Sequence, residues 1–485
     1  MTSFFIENFG CRATDADAAA LRGGVSARGL AWCSESARAD FVILNTCTVT
    51  AAADSQAREA IRKIHRANPS ARIIVTGCYA QRAPEELAGL DGVACVVANS
   101  RQHEIPALIA GEAAGGETGE RGQGVAARKD FVPLDAVEQA GMSLAQGAAK
   151  ILTSDIFAQT TVLLAPASLM AGERTRPILK IQDGCNNRCA YCVIPFVRGR
   201  SRSLTPDAVV SEVRELASAG AKEVVLSGIN LGSYGRDLTP RADLAHVVRR
   251  ILAETDLDQL RFSSIEPQDV TEDFVSLVAS SPRLAPHFHV PLQSGSDRTL
   301  RAMHRWYRTA LYAERIGIIR RLLPNAAIGA DVIAGFPAEA DDDFSATLEF
   351  IESQPFTYLH VFSFSTRPGT EAARVGGELP QPVIRERARA LRALSASKTQ
   401  AFRTAQAGRR MRALTLGRRG ARSGEGWTQA LTPNYLKVRV AGQWPANEWH
   451  EITVEEALDG GGSAGVDLSG LENHLSKSDI AAVRD

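Results

Sequence analysis

The sequence is poor in cysteine and has no long hydrophobic segment. Its 485 residues include only eight cysteines, and no run of about 18 apolar residues is present, so no transmembrane helix is expected. The amino-terminal stretch MTSFFIENFG also lacks the basic start and the long apolar core of a signal peptide. We therefore expect a cytoplasmic protein without a membrane partner, whose cysteines are ligands, nucleophiles or small core residues rather than disulfides.

The chain also has no net charge, because 55 Lys and Arg residues balance 55 Asp and Glu residues. The overall charge therefore indicates no class of partner. One local stretch is different: from Arg385 to Arg422 the chain has twelve Lys and Arg residues and a single acid, Glu386. Such a stretch is either a solvated helix face or a surface that binds a polyanion.

The hydrophobic pattern predicts an α/β protein with a small all-β module at its end. In residues 1–111, the short apolar runs SFFIENFG, FVILNTC, RIIVTGC and ACVVANS alternate with helix-like segments, which predicts an open parallel α/β sheet. Residues 112–172 begin with a Gly-rich polar segment and are predicted to be a linker.

Residues 173–407 contain six further β/α units, which predict a partial (β/α)6 barrel followed by a long helix. Functional residues of such a barrel lie just after its strands. Residues 408–460 read as short strands separated by turns and are predicted to form a small β-barrel module. Residues 461–485 are predicted to be a flexible tail.

Three cysteines follow the first predicted barrel strand in the segment GCNNRCAYC. Cys185, Cys189 and Cys192 have the spacing C-x3-C-x2-C. Three thiolates at this spacing can bind three irons of a 4Fe-4S cluster and leave the fourth iron open to another ligand. A zinc site and a redox dithiol are alternatives, although zinc needs a fourth ligand and no histidine lies nearby in the sequence.

Three other cysteines each follow a predicted strand of the amino-terminal sheet. Cys11 follows SFFIENFG, Cys47 stands two residues after FVILN, and Cys78 follows RIIVTG. The carboxyl ends of parallel strands meet at one edge of an open sheet, so these residues can converge on a second cluster. The alternative is that they are buried small hydrophobic residues. Cys33 and Cys95 lack this placement and are interpreted as structural.

The cluster motif on the first barrel strand resembles that of the radical S-adenosylmethionine enzymes, and the two cysteine sets in this order resemble the methylthiotransferase family. The resemblance extends from residue 1 to about residue 445. It implies two 4Fe-4S clusters, S-adenosylmethionine as a cosubstrate, and a carboxyl-terminal TRAM domain that binds RNA. In that family one S-adenosylmethionine methylates a sulfur on the second cluster, and another gives the radical that removes hydrogen from the substrate carbon.

The resemblance also implies roles for individual residues. No catalytic residue is predicted beyond the six cluster ligands. The residues predicted to contact S-adenosylmethionine lie at the ends of barrel strands or in the cluster loop: Tyr191, Gly228, Asn230, Gln293, Ser294, Asp331 and Gly335. Arg198, Arg200 and Arg202 follow that loop and are predicted to contact RNA, because arginine can pair with phosphate or stack on a base. The alternative is a solvated loop held by a nearby acid.

Within the family, the segments NTCTVT, AADSQAR and NYLKVRV resemble the branch that acts on threonylcarbamoyladenosine at position 37 of tRNA. Isopentenyladenosine in tRNA is the next candidate substrate, and a ribosomal-protein aspartate is the third. The implied partners are the tRNA anticodon stem-loop, an electron donor such as flavodoxin or ferredoxin, and a sulfur donor. The segments FGCRATDAD and GFPAEADDDF depart from the family pattern, but neither removes a cysteine ligand.

Overall fold

The computed structural model describes residues 1–115, 149–165, 175–417, 426–458 and 462–467. These residues form two compact units. The first unit contains the described residues of Met1–Pro166 and two short later segments, Gly184–Asn187 and Cys192–Arg200. The second unit contains the other described residues. Within these ranges no helix is both long enough and apolar enough to cross a membrane.

The first unit is built on a six-stranded parallel sheet with the strand order β2-β1-β3-β4-β5-β6. Its strands are β1 (Ser3–Asn8), β2 (Ala31–Trp32), β3 (Phe41–Thr46), β4 (Arg72–Gly77), β5 (Val93–Ala98) and β6 (Lys150–Leu152). Every residue of β3 is buried, as expected for a strand covered on both faces. The predicted parallel sheet is confirmed.

Helices cover both faces of this sheet, and each face has its own core. Val42 and Leu44 of β3 pack with Ile61 on one face, whereas Phe41 and Ile43 pack on the other. The helices are α1 (Arg12–Ser26), α2 (Ala51–Ala67), α3 (Cys78–Arg82), α4 (Pro84–Ala88), α5 (Ile105–Gly115) and α6 (Ile194–Arg198). Each fully buried aliphatic side chain contributes about 1.5–3 kcal/mol to this packing.

The sixth strand lies inside the range that the sequence predicted to be a linker. Residues Cys95–Val97 of β5 pair with Lys150–Leu152 in parallel. Three residues are too short for a strand pattern in the sequence, and their pairing depends on the exposed edge of β5. The other parts of the predicted linker, residues 116–148 and 166–174, lie outside the described residues.

The second unit begins with the predicted partial barrel. Its strands are β7 (Ile178–Asp183), β8 (Arg202–Ser203), β9 (Glu223–Gly228), β10 (Gln259–Phe262), β11 (His287–His289), β12 (Ala327–Ala334) and β13 (Tyr358–Ser363). They form a four-stranded sheet, β10-β9-β7-β8, and a three-stranded sheet, β11-β12-β13. Single bridges from Leu260 to Leu284 and from Ser264 to His289 connect the two. Six of the seven strands run parallel, so the predicted barrel is confirmed.

Seven helices follow the barrel strands in chain order. They are α7 (Pro206–Ser218), α8 (Leu244–Glu254), α9 (Glu272–Ala279), α10 (Asp297–Ala302), α11 (Thr309–Leu322), α12 (Asp341–Ser353) and α13 (Gln381–Thr404). The start of α7 shows why they form where they do. The Thr205 hydroxyl accepts from the Ala208 amide at 3.3 Å, Pro206 occupies the first turn, and Val209, Val213 and Leu216 form the buried face.

The predicted small β-barrel is also confirmed, with a longer extent. Its strands β14 (Arg410–Thr415), β15 (Trp427–Leu431), β16 (Lys437–Ala441), β17 (Trp449–Leu458) and β18 (Gly462–Asp467) close in the order β14-β15-β16-β18-β17. Strand β18 lies within the segment that was predicted to be a flexible tail. It is Gly-rich and lacks apolar alternation, but it pairs with β16 and β17. Residues 468–485 lie outside the described residues.

Arg261 of β10 connects the partial barrel to this β-barrel. Its guanidinium is buried and bonds both oxygens of Glu223, at 2.7 and 3.0 Å. It also donates to the carbonyl oxygen of Pro433 at 2.9 Å. A buried cation is tolerated only when its hydrogen bonds are filled, so this contact depends on both partners.

Candidate cluster sites

The structure places Cys11, Cys47 and Cys78 at the same edge of the amino-terminal sheet. Cys11 is the cap residue of α1, Cys47 follows β3 directly, and Cys78 is the first residue of α3 after β4. Strands β1, β3 and β4 are neighbours and run parallel. The chain thus brings together three thiols that are far apart in the sequence, as predicted.

Gly10 shows how closely the first loop approaches the second. A Cβ atom on Gly10 would lie 2.7 Å from Cys47 Cβ and 3.3 Å from Cys47 Sγ. The residue also has φ +129°, a conformation that favours glycine. Gly77, which precedes Cys78, has φ +97° and no room for a Cβ against the main chain of Thr46. Because neither glycine has a Cβ atom, the loops that carry Cys11 and Cys78 can lie close to the segment Thr46–Cys47. No side chain at these two positions fills the space beside the thiols.

The thiols in this trio are buried to different degrees. Burial raises the pKa of Cys47 to about 12, and the neighbouring Cys78 raises it further, followed by a smaller effect of Cys11. Burial also raises the pKa of Cys78, against an opposing effect of Arg198. Without a bound cation these thiols hold their protons. A metal centre would replace those protons, because thiolates are the ligands that iron binds.

The spacing of this trio fits a centre larger than one ion. Four-coordinate zinc with Zn–S near 2.3 Å needs sulfurs about 3.8 Å apart. Among the described residues, the trio is not part of any set of three ligand atoms that all lie within 4.8 Å of one another. An all-sulfur donor set that is too open for one ion suits an iron–sulfur cluster.

Arg198 lies beside this trio, and not at the surface. Its side chain is 3% exposed, and its Nη2 atom donates to Asp17 Oδ2 at 2.7 Å. It also hydrogen-bonds Cys78. This burial argues against the RNA contact that the sequence suggested for Arg198. No local sequence pattern indicates the pairing of Arg198 with Asp17, because the two residues are 181 positions apart.

Asn99 is a second polar neighbour that the sequence did not reveal. Its Nδ2 atom lies 3.6 Å from Cys78 Sγ and 2.8 Å from the carbonyl oxygen of Val197. The side chain therefore links the cysteine to the segment that carries Arg198. It follows β5, so the same edge-of-sheet argument that identified the cysteines would have placed it nearby.

The second trio, Cys185, Cys189 and Cys192, lies in the loop after β7. In the first unit, Gly184 has φ +71°, and Cys185 donates its amide to the carbonyl oxygen of Gly199 at 3.1 Å. The Asn187 amide lies 3.4 Å from Cys185 Sγ. All three cysteines are partly exposed. The loop is therefore held by local hydrogen bonds and leaves the thiols accessible.

In the second unit, Cys189 receives a hydrogen bond from a buried arginine. Arg305 Nη1 donates to Cys189 Sγ at 3.2 Å. The same guanidinium is paired with Glu266 and donates through Nε to the Tyr307 hydroxyl at 3.2 Å. Burial alone would lower the pKa of Arg305, but Tyr191, Tyr307, Glu266 and Cys189 raise it above its ordinary value. Arg305 therefore stays charged.

Three of the residues predicted to contact S-adenosylmethionine lie near the ends of β7 and β9. Tyr191 packs its ring edge against Phe336, with centroids 6.5 Å apart. Gly228 ends β9, and a Cβ there would lie 2.9 Å from Gln182 Oε1. That same oxygen accepts from the Asn230 amide at 2.8 Å. Gln182, which the sequence did not single out, thus fixes the Gly228–Asn230 turn.

The other predicted contacts lie around β12. The Gln293 amide donates to the carbonyl oxygen of Asp331 at 2.8 Å, and Gln293 has φ +67°. Ser294 is buried with its Oγ atom 3.2 Å from Thr347 Oγ1, so its hydroxyl serves the packing of α12. Gly335 directly follows β12 with φ +81° and donates its amide to Glu339 at 3.0 Å.

Asp331 lies between two histidines that the sequence did not single out. Its Oδ1 atom is 3.2 Å from His289 Nε2 and 3.3 Å from His360 Nδ1. Burial raises the pKa of Asp331, but the contacts from His289 and His360 outweigh it and hold the pKa well below its ordinary value. Asp331 is therefore a carboxylate. Only the histidines within the predicted strands HFH and YLH could have indicated this cluster.

Arg200 and Arg202 differ from Arg198. Arg200 is exposed. Arg202 Nη2 lies 3.2 Å from Asp183 Oδ2, and the side chain is 12% exposed. Their contact with RNA stays a prediction, and the greater exposure of Arg200 makes it the better candidate.

Two segments of the chain match known families. Residues 3–98 match the family described as Uncharacterized protein family UPF0004, and residues 179–351 match the Radical SAM superfamily. These are the regions that hold the amino-terminal trio and the loop trio, respectively. The match to the second family agrees with the position of the C-x3-C-x2-C loop after the first barrel strand.

Curated relatives resemble almost the whole chain. The threonylcarbamoyladenosine tRNA methylthiotransferase MtaB of Aquifex aeolicus is 34% identical over 436 residues, covering 90% of this chain and 96% of that protein. The MtaB protein of Bacillus subtilis is 35% identical over 362 residues, 74% of this chain and 72% of that protein. The tRNA-2-methylthio-N(6)-dimethylallyladenosine synthase of Syntrophobacter fumaroxidans is 34% identical over 408 residues, 83% of this chain and 82% of that protein.

One solved structure supports the fold. The radical S-adenosylmethionine methyltransferase TsrM from Kitasatospora setae, with cobalamin and a [4Fe-4S] cluster bound, has a TM-score of 0.52. It is 15% identical and covers 77% of each chain. At this identity the likeness concerns the arrangement of strands and helices alone.

Proposed function

We propose, from the premise that this chain belongs to the radical S-adenosylmethionine methylthiotransferase family, that it methylthiolates C2 of N6-threonylcarbamoyladenosine at position 37 of tRNA. The observation that carries the proposal is the presence of two cysteine trios, one at the carboxyl ends of three parallel strands and one in the loop after β7. Near-full-length similarity to enzymes named for threonylcarbamoyladenosine supports the choice of substrate.

In this proposal each trio binds one 4Fe-4S cluster. Cys11, Cys47 and Cys78 bind the amino-terminal cluster, and Gly10 keeps clear the space beside Cys47. Cys185, Cys189 and Cys192 bind the cluster of the loop after β7, and three sulfur ligands leave one iron of each cluster open. When bound, the clusters and S-adenosylmethionine supply the radical and the methylthio sulfur, which protein side chains cannot supply.

The chain itself positions these groups. Arg305 and Arg198 hold positive charge beside Cys189 and Cys78, respectively. The main chain at the ends of barrel strands forms the surface proposed for S-adenosylmethionine, with the residues predicted for it: Tyr191, Gly228, Asn230, Gln293, Ser294, Asp331 and Gly335. The structure supports Ser294 only as a packing residue, because its hydroxyl is directed to Thr347.

The RNA partner in this proposal is the anticodon stem-loop. A target base must leave its stack to reach a barrel interior, and loop bases do so at low cost. The exposed Arg200 and the carboxyl-terminal β-barrel are the proposed contacts, which would make affinity fall with salt. In the basic helix α13, Arg387 is buried against Glu339 and Asp341 and is therefore not a proposed RNA contact. The proposed setting is the cytoplasm, with a flavodoxin or ferredoxin and a sulfur donor as further partners.

Dimethylallyladenosine is the second candidate substrate, favoured by the relative from Syntrophobacter fumaroxidans. The two substrates differ in their N6 substituents, since threonylcarbamoyl is polar and carries a carboxylate, whereas dimethylallyl is apolar.

Mass spectrometry of tRNA nucleosides tests the proposal. In a strain that lacks the gene, we expect loss of 2-methylthio-N6-threonylcarbamoyladenosine and accumulation of its precursor without the methylthio group. The wild-type gene and a Cys33→Ala variant should restore the product, whereas Cys189→Ala should not. An unchanged nucleoside profile would refute the proposal, and loss of the dimethylallyl product instead would establish the second candidate.

A further inference from the structure

Three polar side chains lie together on neighbouring strands of the three-stranded sheet. His289 ends β11, Asp331 lies in β12, and His360 lies in β13, where it is paired directly with Asp331 in the register. One ligand atom from each lies within 4.8 Å of the other two. The set offers two imidazole nitrogens and one carboxylate oxygen, which is a common donor set for transition metals.

His289 has the properties of a metal ligand. Its Nδ1 atom lies 2.7 Å from the Ser264 hydroxyl, which can fix the ring as metal-bound histidines are usually fixed. Its Nε2 atom is buried and makes no hydrogen bond of acceptable geometry among the described residues, although Asp331 Oδ1 is 3.2 Å away. When Nδ1 carries the proton, His289 Nε2 and Asp331 Oδ1 are both hydrogen-bond acceptors and face each other. A cation bound between these two atoms removes the repulsion.

The spacing agrees with tetrahedral coordination. Zinc with bonds of about 2.0–2.1 Å needs ligand atoms about 3.3 Å apart, and the two measured distances are 3.2 and 3.3 Å. We propose that His289 Nε2, Asp331 Oδ1 and His360 Nδ1 bind a divalent transition-metal ion, zinc above all. The His360 side chain is 53% exposed, so an ion can enter from solvent and keep a fourth position for water or another oxygen ligand.

The competing arrangement has a proton in place of the metal, with a protonated His289 paired to Asp331. The amount of bound zinc distinguishes the metal site from the protonated histidine. The full chain is prepared anaerobically with its clusters, washed with a weak chelator, and analysed for zinc and iron by mass spectrometry. We expect about one zinc per chain in the wild type and at least a tenfold lower zinc affinity in His360→Gln and Asp331→Asn, with iron unchanged.

His304→Gln is the matched control, because His304 is a partly exposed histidine beside a carboxylate of Glu371, 3.4 Å away, and is outside the set. It should keep its zinc. Diffraction at the zinc edge should show a peak between the three side chains. Wild-type protein with full iron and no tightly bound zinc would overturn the proposal, and so would equal zinc in His360→Gln.

A second observation concerns the arginines at the cysteines. Arg305 bonds Cys189 and is paired with Glu266, and Arg198 bonds Cys78 and is paired with Asp17. All four side chains are largely buried, and each cation is bound to one cysteine and one carboxylate. Hydrogen bonds to cluster sulfurs and nearby positive charge stabilise the more negative, reduced state of a cluster.

We infer that Arg305 is a positioning residue that raises the reduction potential of the cluster bound by Cys189. The inference rests on the proposed function, since it assumes a cluster at that loop. Replacing Arg305 alone would leave Glu266 buried without its cation, so the variant of choice is the double change Arg305→Gln with Glu266→Gln. Arg305→Lys should retain part of the effect, because it keeps the charge.

Redox titration followed by electron paramagnetic resonance tests this inference without any tRNA. We expect the potential of one cluster to fall by 59 mV or more in the double variant, a tenfold change for a one-electron couple, with Arg305→Lys in between. An unchanged potential in a protein with full iron would overturn the inference. If the potential shifts but wild-type protein modifies no tRNA, the inference stands and the proposed substrate fails.

Discussion

Cys11, Cys47 and Cys78 come from the ends of three strands, whereas Cys185, Cys189 and Cys192 come from one loop after one strand. In the first set, the distance between thiols depends on the register of a whole sheet and on two glycines that allow close approach. In the second set, all three cysteines lie within eight consecutive residues, so the distances between their thiols depend on the conformation of one loop. A dispersed site is therefore sensitive to changes far away, and a loop site mainly to its own residues.

The difference extends to burial. Cys47 and Cys78 are buried and hold their protons strongly, while the loop cysteines are partly exposed. Exposure suits a site that must admit an external cosubstrate. Burial suits a site whose metal stays in place once the sheet has formed, because the bound metal then contributes to folding stability.

The largest expected effect separates the two trios by activity. Cys189→Ala should lose about half of the roughly eight irons of two clusters and should form no 5′-deoxyadenosine. Cys47→Ala should lose a similar amount of iron and still form 5′-deoxyadenosine, because the loop trio is intact. Iron analysis and chromatography of the reaction measure both. Cys33→Ala is the control, and full iron in either ligand variant would contradict two clusters.

A backbone change should damage the dispersed trio alone. Gly77→Ala forces φ +97° on alanine and places its Cβ against the main chain of Thr46, so we expect a loss of about 3 kcal/mol in the free energy of unfolding. Iron should fall by about half while 5′-deoxyadenosine still forms. Gly29→Ala has a similar φ of +86° but open space, and should cost only about 1 kcal/mol.

Denaturant titration with iron analysis provides the measurement for both glycine variants. Equal losses in Gly77→Ala and Gly29→Ala would mean that close approach of the loops does not matter to the amino-terminal trio.

The smallest expected effect concerns a single amide. Asn99→Ala removes the donor at 3.6 Å from Cys78 Sγ and the bond to Val197, which should cost about 1 kcal/mol. Iron should then leave severalfold faster when a chelator is added. Asn68→Ala removes a buried amide with two similar carbonyl bonds, at 3.0 and 3.1 Å, but away from the cysteines. It should lose stability without faster iron release, and equal iron release in both variants would rule out a role for Asn99.

The sequence predicted the strands of both α/β regions because parallel strands covered on two faces are continuous apolar runs, as FVILNT is. The positions of all six cysteines after such strands followed from the same runs. It could not predict the burial of Arg198, because arginine usually faces solvent, and here its partner Asp17 is 181 residues away.

Short strands were missed for another reason. Lys150–Leu152 and Gly462–Asp467 have little strand character of their own and are ordered by the edges on which they pair. The histidines around Asp331 were missed because three strands contribute one residue each. For Lys150–Leu152 and for the histidines, the deciding contact joins residues that are remote in the sequence, and no local pattern indicates it.

Arg261 ties a turn of the carboxyl-terminal β-barrel to the strand pair β9 and β10. A nucleic acid bound to that β-barrel would be attached to the same sheet that contains β7, the strand before the loop cysteines. The distance between the RNA-binding surface and the reacting carbon would then be constant. The enzyme would therefore select a nucleoside by its distance from an RNA stem as well as by its chemical identity.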